Sequence, residues 1–385
     1  MTALHDLLQA HVDAGAVPGA VALLTHDADA DAGARVEVEV VGSQDAEGTT
    51  PMTRDSIFRI ASVTKPITAA TVMMLVEDGR LGLDDPVDTW LPELTSPMVV
   101  RTPDGPLDDL VSMARAITVR DLLESRAGWG FPDAFDWPAV QALLAVQPVG
   151  REVAAYPAHV WLEKLAKVPL VHQPGESWLS NTCSDLQGVL VARVTGQSLP
   201  QVFAERVFEP LGMVDTGFAV PTAAVTRLTS SYRATDVGLE LVDGPDGQWA
   251  RTPEFPSGAG GLVSTADDYL AFTRMLAGRG EVDGIRLLSS DAVRLMTTDH
   301  LTPAQRAASR FFLDGQGWGY GGCVDVDPID PWVVPGRYGW VGATGTSAHL
   351  VPATEDIAIL LTQRATDSPV PSGLMAEFWT SAAGA

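Results

Sequence analysis

Cysteine is nearly missing from this 385-residue chain. Cys183 and Cys323 are the two present, far apart and without a C-x-x-C partner, which excludes a disulfide framework and a thiolate metal cluster and leaves two buried free thiols as the expectation. Positive charge is also scarce: 25 Lys and Arg face 49 Asp and Glu, a formal net charge of −24. Such a field opposes close approach to phosphate backbones and anionic lipid, so neither nucleic acid nor a membrane is expected as a partner. No apolar run approaches the ~20 residues that cross a bilayer, and the opening Met1-Thr2-Ala3-Leu4-His5-Asp6 lacks the basic and apolar stretches of a secretory signal. A soluble cytoplasmic protein is the expectation. The histidines show no H-x-x-x-H or H-x-H spacing, and the glycine-rich run 258–261 has no G-x-G-x-x-G or G-K-[ST] context. Neither a metal nor a cofactor is therefore expected.

What is present is core-forming material, with 46% hydrophobic residues, enough for one large or two ordinary domains. Leu4, Leu7, Leu8 and Val12 have helical spacing, and the segment stops at Gly15. Residues 19–24 and 36–41 read as strands, the second in clean alternation, and their proximity suggests antiparallel neighbours joined by an Asp/Ala/Gly turn. Residues 62–77 predict a helix that is apolar nearly all round and hence buried, stopped by Asp78-Gly79. From about 85 to 255 the chain is rich in Pro, Gly and Trp, with helical pieces at 119–125, 158–166, 185–195 and 199–208. Residues 265–276 form another expected helix, capped by Ser264 or Thr265, with Asp267 and Asp268 in its first turn. Strand patterns at 347–351 and 357–362 and a helix near 374–380 close the chain. The implied fold class is α+β: an antiparallel sheet built from N- and C-terminal segments and flanked by helices. Its sheet domain takes residues 1–84 plus 256–385, and a mainly helical domain, 85–255, is inserted.

Lysine occurs only at positions 65, 164 and 167, so Ser62-Val63-Thr64-Lys65 stands out. Residues i and i+3 share a helix face, which lets hydroxyl and ammonium meet. A serine is a weak nucleophile until a neighbour takes its proton, and a lysine desolvated in an apolar helix has the lowered proton affinity to do so. The plain alternative is a capping serine and a solvated lysine, and this short pattern is common. Here the lysine lies inside an apolar helix.

The flanking text Ile57-Phe-Arg-Ile-Ala-Ser-Val-Thr-Lys-Pro-Ile-Thr resembles the nucleophile segment of the serine β-lactamase-related family. That family groups class C β-lactamases, D-Ala-D-Ala carboxypeptidases and family VIII carboxylesterases. The likeness continues in order through Gly79-Arg-Leu-Gly-Leu-Asp-Asp-Pro-Val, Ile117-Thr-Val-Arg-Asp-Leu-Leu, Gln173-Pro-Gly-Glu, Glu209-Pro-Leu-Gly-Met and Pro256-Ser-Gly-Ala-Gly-Gly. By this resemblance Ser62 is the acylated nucleophile and Lys65 its proton acceptor, on a β-lactamase/transpeptidase-like fold.

The family's second motif carries a tyrosine, as Tyr-x-Asn or Tyr-Asn, that shuttles the proton to the leaving group. The matching segment is Trp178-Leu179-Ser180-Asn181, in which Asn181 keeps register and the tyrosine gives way to Leu179 or Ser180. A serine hydroxyl is shorter and far less acidic than a phenol and does not reproduce that relay by direct contact. Ser180 holding a relay water, a tyrosine reaching in from a loop, and a weakened or inactive protein are the three alternatives. The third motif falls at Gly342-Ala343-Thr344-Gly345, without the lysine of a Lys-Thr-Gly sequence and similar to the Trp-Gly-Gly type of the esterase-like branch. A backbone N–H from there, with that of Ser62, would form an oxyanion hole. Trp129, with Phe131, Phe135 and Trp137, is a candidate pocket wall, although such rings more often form a mini-core, and His349 is more simply a packed histidine. The resemblance implies a serine hydrolase acting on a small-molecule ester or amide, a carboxylesterase first. A β-lactamase or D-amino-acid peptidase and a non-catalytic pocket protein are the alternatives.

Overall fold

The computed structural model describes residues 2–26, 35–147, 156–371 and 373–384. Seven strands form one antiparallel sheet: β1 (Gly19–His26), β2 (Arg35–Gly42), β3 (Gly317–Trp318), β4 (Cys323–Val324), β5 (Tyr338–Gly342), β6 (Thr346–Val351) and β7 (Asp356–Thr362). Their spatial order is β3-β4-β5-β6-β7-β1-β2. The two ends of the chain therefore meet in mid-sheet, where Ala20 pairs with Thr362 and Thr25 with Ile357. The turn expected between β1 and β2, residues 27–34, lies outside the described residues.

Side chains alternate across β1, so its two faces go to two cores. Ala20, Ala22 and Leu24 face α1 (Ala3–Asp13) and α5 (Leu374–Ala382), packing with Leu8 and Phe378. Val21 and Leu23 face the larger core, shared with α2 (Lys65–Glu77) and α4 (Ala266–Ala277). Every residue of α2 from Lys65 to Leu75 is buried, as a helix without a polar stripe requires. α4 starts as expected, the Thr265 side chain accepting from the Asp268 N–H.

Residues 85–255 contain α3 (Thr182–Thr195) and shorter helices at Val119–Leu123, Ala158–Leu165 and Leu199–Phe203. Two hairpins not expected from the sequence also lie here, Met98–Val100 with Leu110–Ser112 and Ser231–Thr235 with Gly238–Asp243. The expected helix 199–208 changes after Phe203 to a wider π-type turn, Ala204–Phe208. Pro210 follows, and its missing N–H cannot extend an α-helical ladder back to residue 206. One large core cluster runs without a break from the sheet through this region, from Val21 through Leu122 and Leu190 to Leu361.

Candidate active site

The Ser62–Lys65 segment differs from the expected continuous α-helix. Ala61–Thr64 is a 3-10 turn, and the α-helix begins at Lys65, with Pro66 in its first turn. In a 3-10 turn residues i and i+3 eclipse, so the two side chains line up more directly than on an α-helix. Lys65 Nζ donates to Ser62 Oγ at 2.7 Å and to the Ala259 carbonyl at 2.7 Å. Ser62 is half-buried, while Lys65 is 3% exposed. Burial pushes the lysine down from 10.5 to about 7, opposed by the charge of Asp185. The neutral amine needed to accept a proton is thus populated near pH 7.

The turn is held from several sides. Ala61, just before the serine, adopts a left-handed conformation, φ 45°, unusual for a residue with a Cβ. Ile60 donates its N–H to Leu262 O at 3.1 Å, and the Ile60 carbonyl accepts from Thr346 Oγ1 at 3.0 Å. The Thr344 hydroxyl donates to Arg59 O. Arg59, itself buried, forms an ion pair with Asp243 and lies 5.2 Å from the Trp249 ring centre.

These threonine contacts bring the third motif against the Ser62 turn. Gly342 ends β5, and a β-turn closed by Gly345 N–H to Gly342 O at 3.0 Å leads into β6. Ala343 is exposed and Thr344 half-buried. Gly345 faces the other way: its carbonyl accepts from Thr362 Oγ1 at 2.8 Å, and a Cβ there would stand 2.2 Å from Arg364 O. It closes the turn rather than lining the site. A Cβ on Gly342 would lie 2.4 Å from Ile60 O and 2.2 Å from Thr346 Oγ1. Gly342→Ala is therefore expected to cost about 1–3 kcal/mol in urea unfolding, as overpacking does, and to move β5 off the turn. An unchanged denaturation midpoint would contradict this packing.

At the second motif, Asn181 has φ 81° and ψ −65°, and the Thr182 N–H bonds to Ser180 O at 3.2 Å. That is the rare, strained form of the γ-turn. Asn181 precedes α3 but spends no side-chain hydrogen bond on capping it. The Ser180 hydroxyl makes no hydrogen bond to Ser62 or Lys65, and Ser180 instead pairs its backbone with Phe131 in both directions, at 3.0 and 3.1 Å. Leu179 is packed in the main core, 1% exposed. No tyrosine takes the empty role. The hydroxyls of Tyr156, Tyr269 and Tyr338 donate to the carbonyls of Val146, Val63 and Tyr320, that of Tyr232 accepts from the Ala46 N–H, and that of Tyr320 from Arg120.

Two expected placements need correction. Trp129 is fully buried and its indole N–H donates to Val168 O at 2.9 Å, so it is core material rather than an open pocket wall. Cys323 is only half-buried, although Cys183 is fully enclosed and its thiol is pushed up to about 12 by burial. His349 is packed edge-on against Trp379, ring centres 4.6 Å apart, in the layer of α5. Among the described residues no His/Cys/Asp/Glu group has a metal-binding arrangement, and no helix is long and apolar enough to cross a membrane.

Sequence reasoning missed Asp185. Its buried carboxylate, in the first turn of α3, accepts from Ser257 Oγ at 2.6 Å, the Ala259 N–H at 3.1 Å and Gln147 Nε2 at 2.6 Å. An acidic residue in a first helical turn reads as a dipole partner, and only the tertiary fold brings it to Lys65.

A serine beside a desolvated lysine, in a turn braced against a sheet joined from both chain ends, fits a serine hydrolase. The Beta-lactamase family model matches residues 4–377, and the chain belongs to that family. It is 39% identical over 366 residues to Protein Rv1367c of Mycobacterium tuberculosis, covering 93% of this chain and 88% of that protein. To Esterase EstB of Burkholderia gladioli it is 31% identical over 348 residues, covering 84% and 81%. A solved structure described as EstCE1, a hydrolase with promiscuous acyltransferase activity, superposes with TM-score 0.81 at 26% identity, over 99% of this chain and 97% of that one.

Proposed function

We propose that this protein is a carboxylesterase of small esters working through an acyl-enzyme on Ser62. The observation that carries the reading is the 2.7 Å contact between Ser62 Oγ and a buried Lys65. Ser62 Oγ attacks the ester carbonyl while its proton passes to Lys65 Nζ. The ammonium then returns that proton to the departing alkoxide, and the alcohol leaves. Water attacks the acyl-enzyme in the second half, giving up its proton to Lys65, and the acid is released as Ser62 recovers its hydrogen. The N–H groups of Ser62 and of the 342–344 turn are the candidates for the oxyanion. The similarity to Esterase EstB and to EstCE1 supports an ester over a β-lactam, as does the missing third-motif lysine.

The test is a burst of p-nitrophenol from p-nitrophenyl acetate or butyrate, with mass spectrometry of the acyl group on Ser62. A folded protein that releases no p-nitrophenol above the uncatalysed rate and carries no adduct overturns the reading. Because Lys65 must be neutral to accept the proton, the acylation rate should rise with pH through about 7, the value to which burial brings it. It should fall about tenfold per pH unit well below that point. A profile flat down to pH 5 would exclude Lys65 as the base.

A further inference from the structure

Lys65 reaches one backbone carbonyl, that of Ala259, and the loop carrying it is unusually well held. Gly258 lies on α3 so closely that a Cβ there would be 2.5 Å from Ser184 O, and its carbonyl accepts from Thr68 Oγ1 at 2.7 Å. Ser257 Oγ, while donating to Asp185 at 2.6 Å, accepts the N–H groups of Ala259 and Gly260, each at 3.2 Å. On the other side Gln147 donates to Asp185 at 2.6 Å and accepts from Thr182 Oγ1 at 2.6 Å. Every hydrogen bond recorded at the Asp185 carboxylate is received from a donor, the pattern that favours its charged form. Burial works against that form and lifts the carboxyl above its ordinary value, opposed by Ser257, Ala259, Lys65 and Gln147.

We propose that Asp185 is the positioning residue for Lys65. Through Ser257 and the Ala259 N–H it fixes the carbonyl that accepts from Nζ, and its buried charge favours the ammonium formed when Lys65 takes the Ser62 proton. This rests on the esterase reading and deepens it. In a site without a phenol, one lysine must both accept the proton and return it, so its proton affinity must be neither too low nor too high. An apolar pocket alone drives that affinity down, and a fixed anion restores it in part.

The other titratable groups on the elements around Lys65 do not supply that charge. Tyr269 and Tyr338 are buried phenols with hydroxyls donated to Val63 O and Tyr320 O. Cys183 is a buried thiol. Glu77 and Asp78 lie at the far end of α2, bonded to the Ser289 N–H and to Arg206, and the 257–261 loop carries no ionisable side chain.

The experiment compares single-turnover acylation of Ser62 against pH in the parent, Asp185→Asn and Ser257→Ala, using p-nitrophenyl acetate. In Asp185→Asn the acid limb should move down by about one pH unit, since losing an opposite charge at this range removes a shift of that order, and the plateau rate should fall about tenfold. Ser257→Ala keeps the charge and loosens the loop, so its rate should fall about threefold with the limb in place. A merely structural Asp185 would lower the plateau without moving the limb, and that result overturns the proposal. If Asp185→Asn does not fold, Ser257→Ala decides: an unchanged acylation rate there overturns it. Failure of the parent to acylate at all would instead sink the esterase reading, so the two failures are distinguishable.

Discussion

Replacing Ser62 with alanine is expected to remove ester hydrolysis and the acyl adduct together, with a loss of at least ~10³-fold in rate, since in the proposed mechanism the acyl bond forms on that oxygen. The fold should survive. Ser62 is half-buried, and its recorded side-chain hydrogen bond is the one from Lys65, while the turn around it is held by backbone groups and by Thr344 and Thr346. Hydrolysis by the purified variant at the parental rate would reject Ser62 as nucleophile, and a lowered unfolding temperature alongside lost activity would leave the two effects entangled. Circular dichroism melts should therefore accompany the kinetics, and they are expected to coincide with the parent within a degree or two.

Restoring a phenol should act in the opposite direction. General acid–base assistance is worth about 10²–10⁴ in rate, so a tyrosine at the second motif should raise acylation toward that range. Ser180 and Leu179 both stand in register for the missing phenol, so one of Ser180→Tyr and Leu179→Tyr is expected to gain, with the larger packing cost in Leu179→Tyr. There the new ring replaces an enclosed leucine whose Cβ would stand 2.6 Å from a Cβ on Gly130, so a stability cost of about 1–3 kcal/mol should accompany the change. Ser180→Ala tests whether the Ser180 hydroxyl holds a relay water. If Ser180→Ala slows the parent while neither tyrosine variant gains, the water relay is supported and the missing-phenol account fails. No turnover and no Ser62 adduct in any of these proteins, all folded, would leave a pocket without catalysis.

The parts of this molecule legible from the chain are those whose signal is local. The alternation of Val36 to Val41, the all-round apolar face of α2 and the Thr265 cap each announce their element within a few residues, and each element is present, α2 starting at Lys65 after a 3-10 turn. Ser62 and Lys65 were visible because three residues of separation suffice to bring them together. The three-residue strands Met98–Val100 and Leu110–Ser112 are too short to show a period. In Ser231–Thr235 and Gly238–Asp243 the alternation was there to be read, but the surrounding Pro/Gly-rich text masked it. Asp185 and Ala259 were invisible for a different reason: a carboxylate 120 positions from its lysine, and a carbonyl 194 positions away, have no sequence periodicity to betray them. Trp129 misled because an aromatic residue between glycines reads equally as a loop ring and as a core ring, and only its bond to Val168 decides.

That β1 lies between β2 and β7 has a consequence for how the chain is made. During synthesis β1 and β2 emerge first, yet the partner of β1 on its other edge is more than 330 residues downstream, Ala20 waiting for Thr362. Until then the hairpin offers an apolar, unpaired strand edge, the kind of surface that recruits other nascent chains. Contacts of such sequence separation also slow closure of the sheet. The same late segment supplies Thr344 and Thr346, which hold the Ser62 turn. Thus neither the sheet nor the Ser62 turn is complete until the segment from Thr344 to Thr362 has been made, and a chain that stops between β2 and β7 keeps the bare edge of β1.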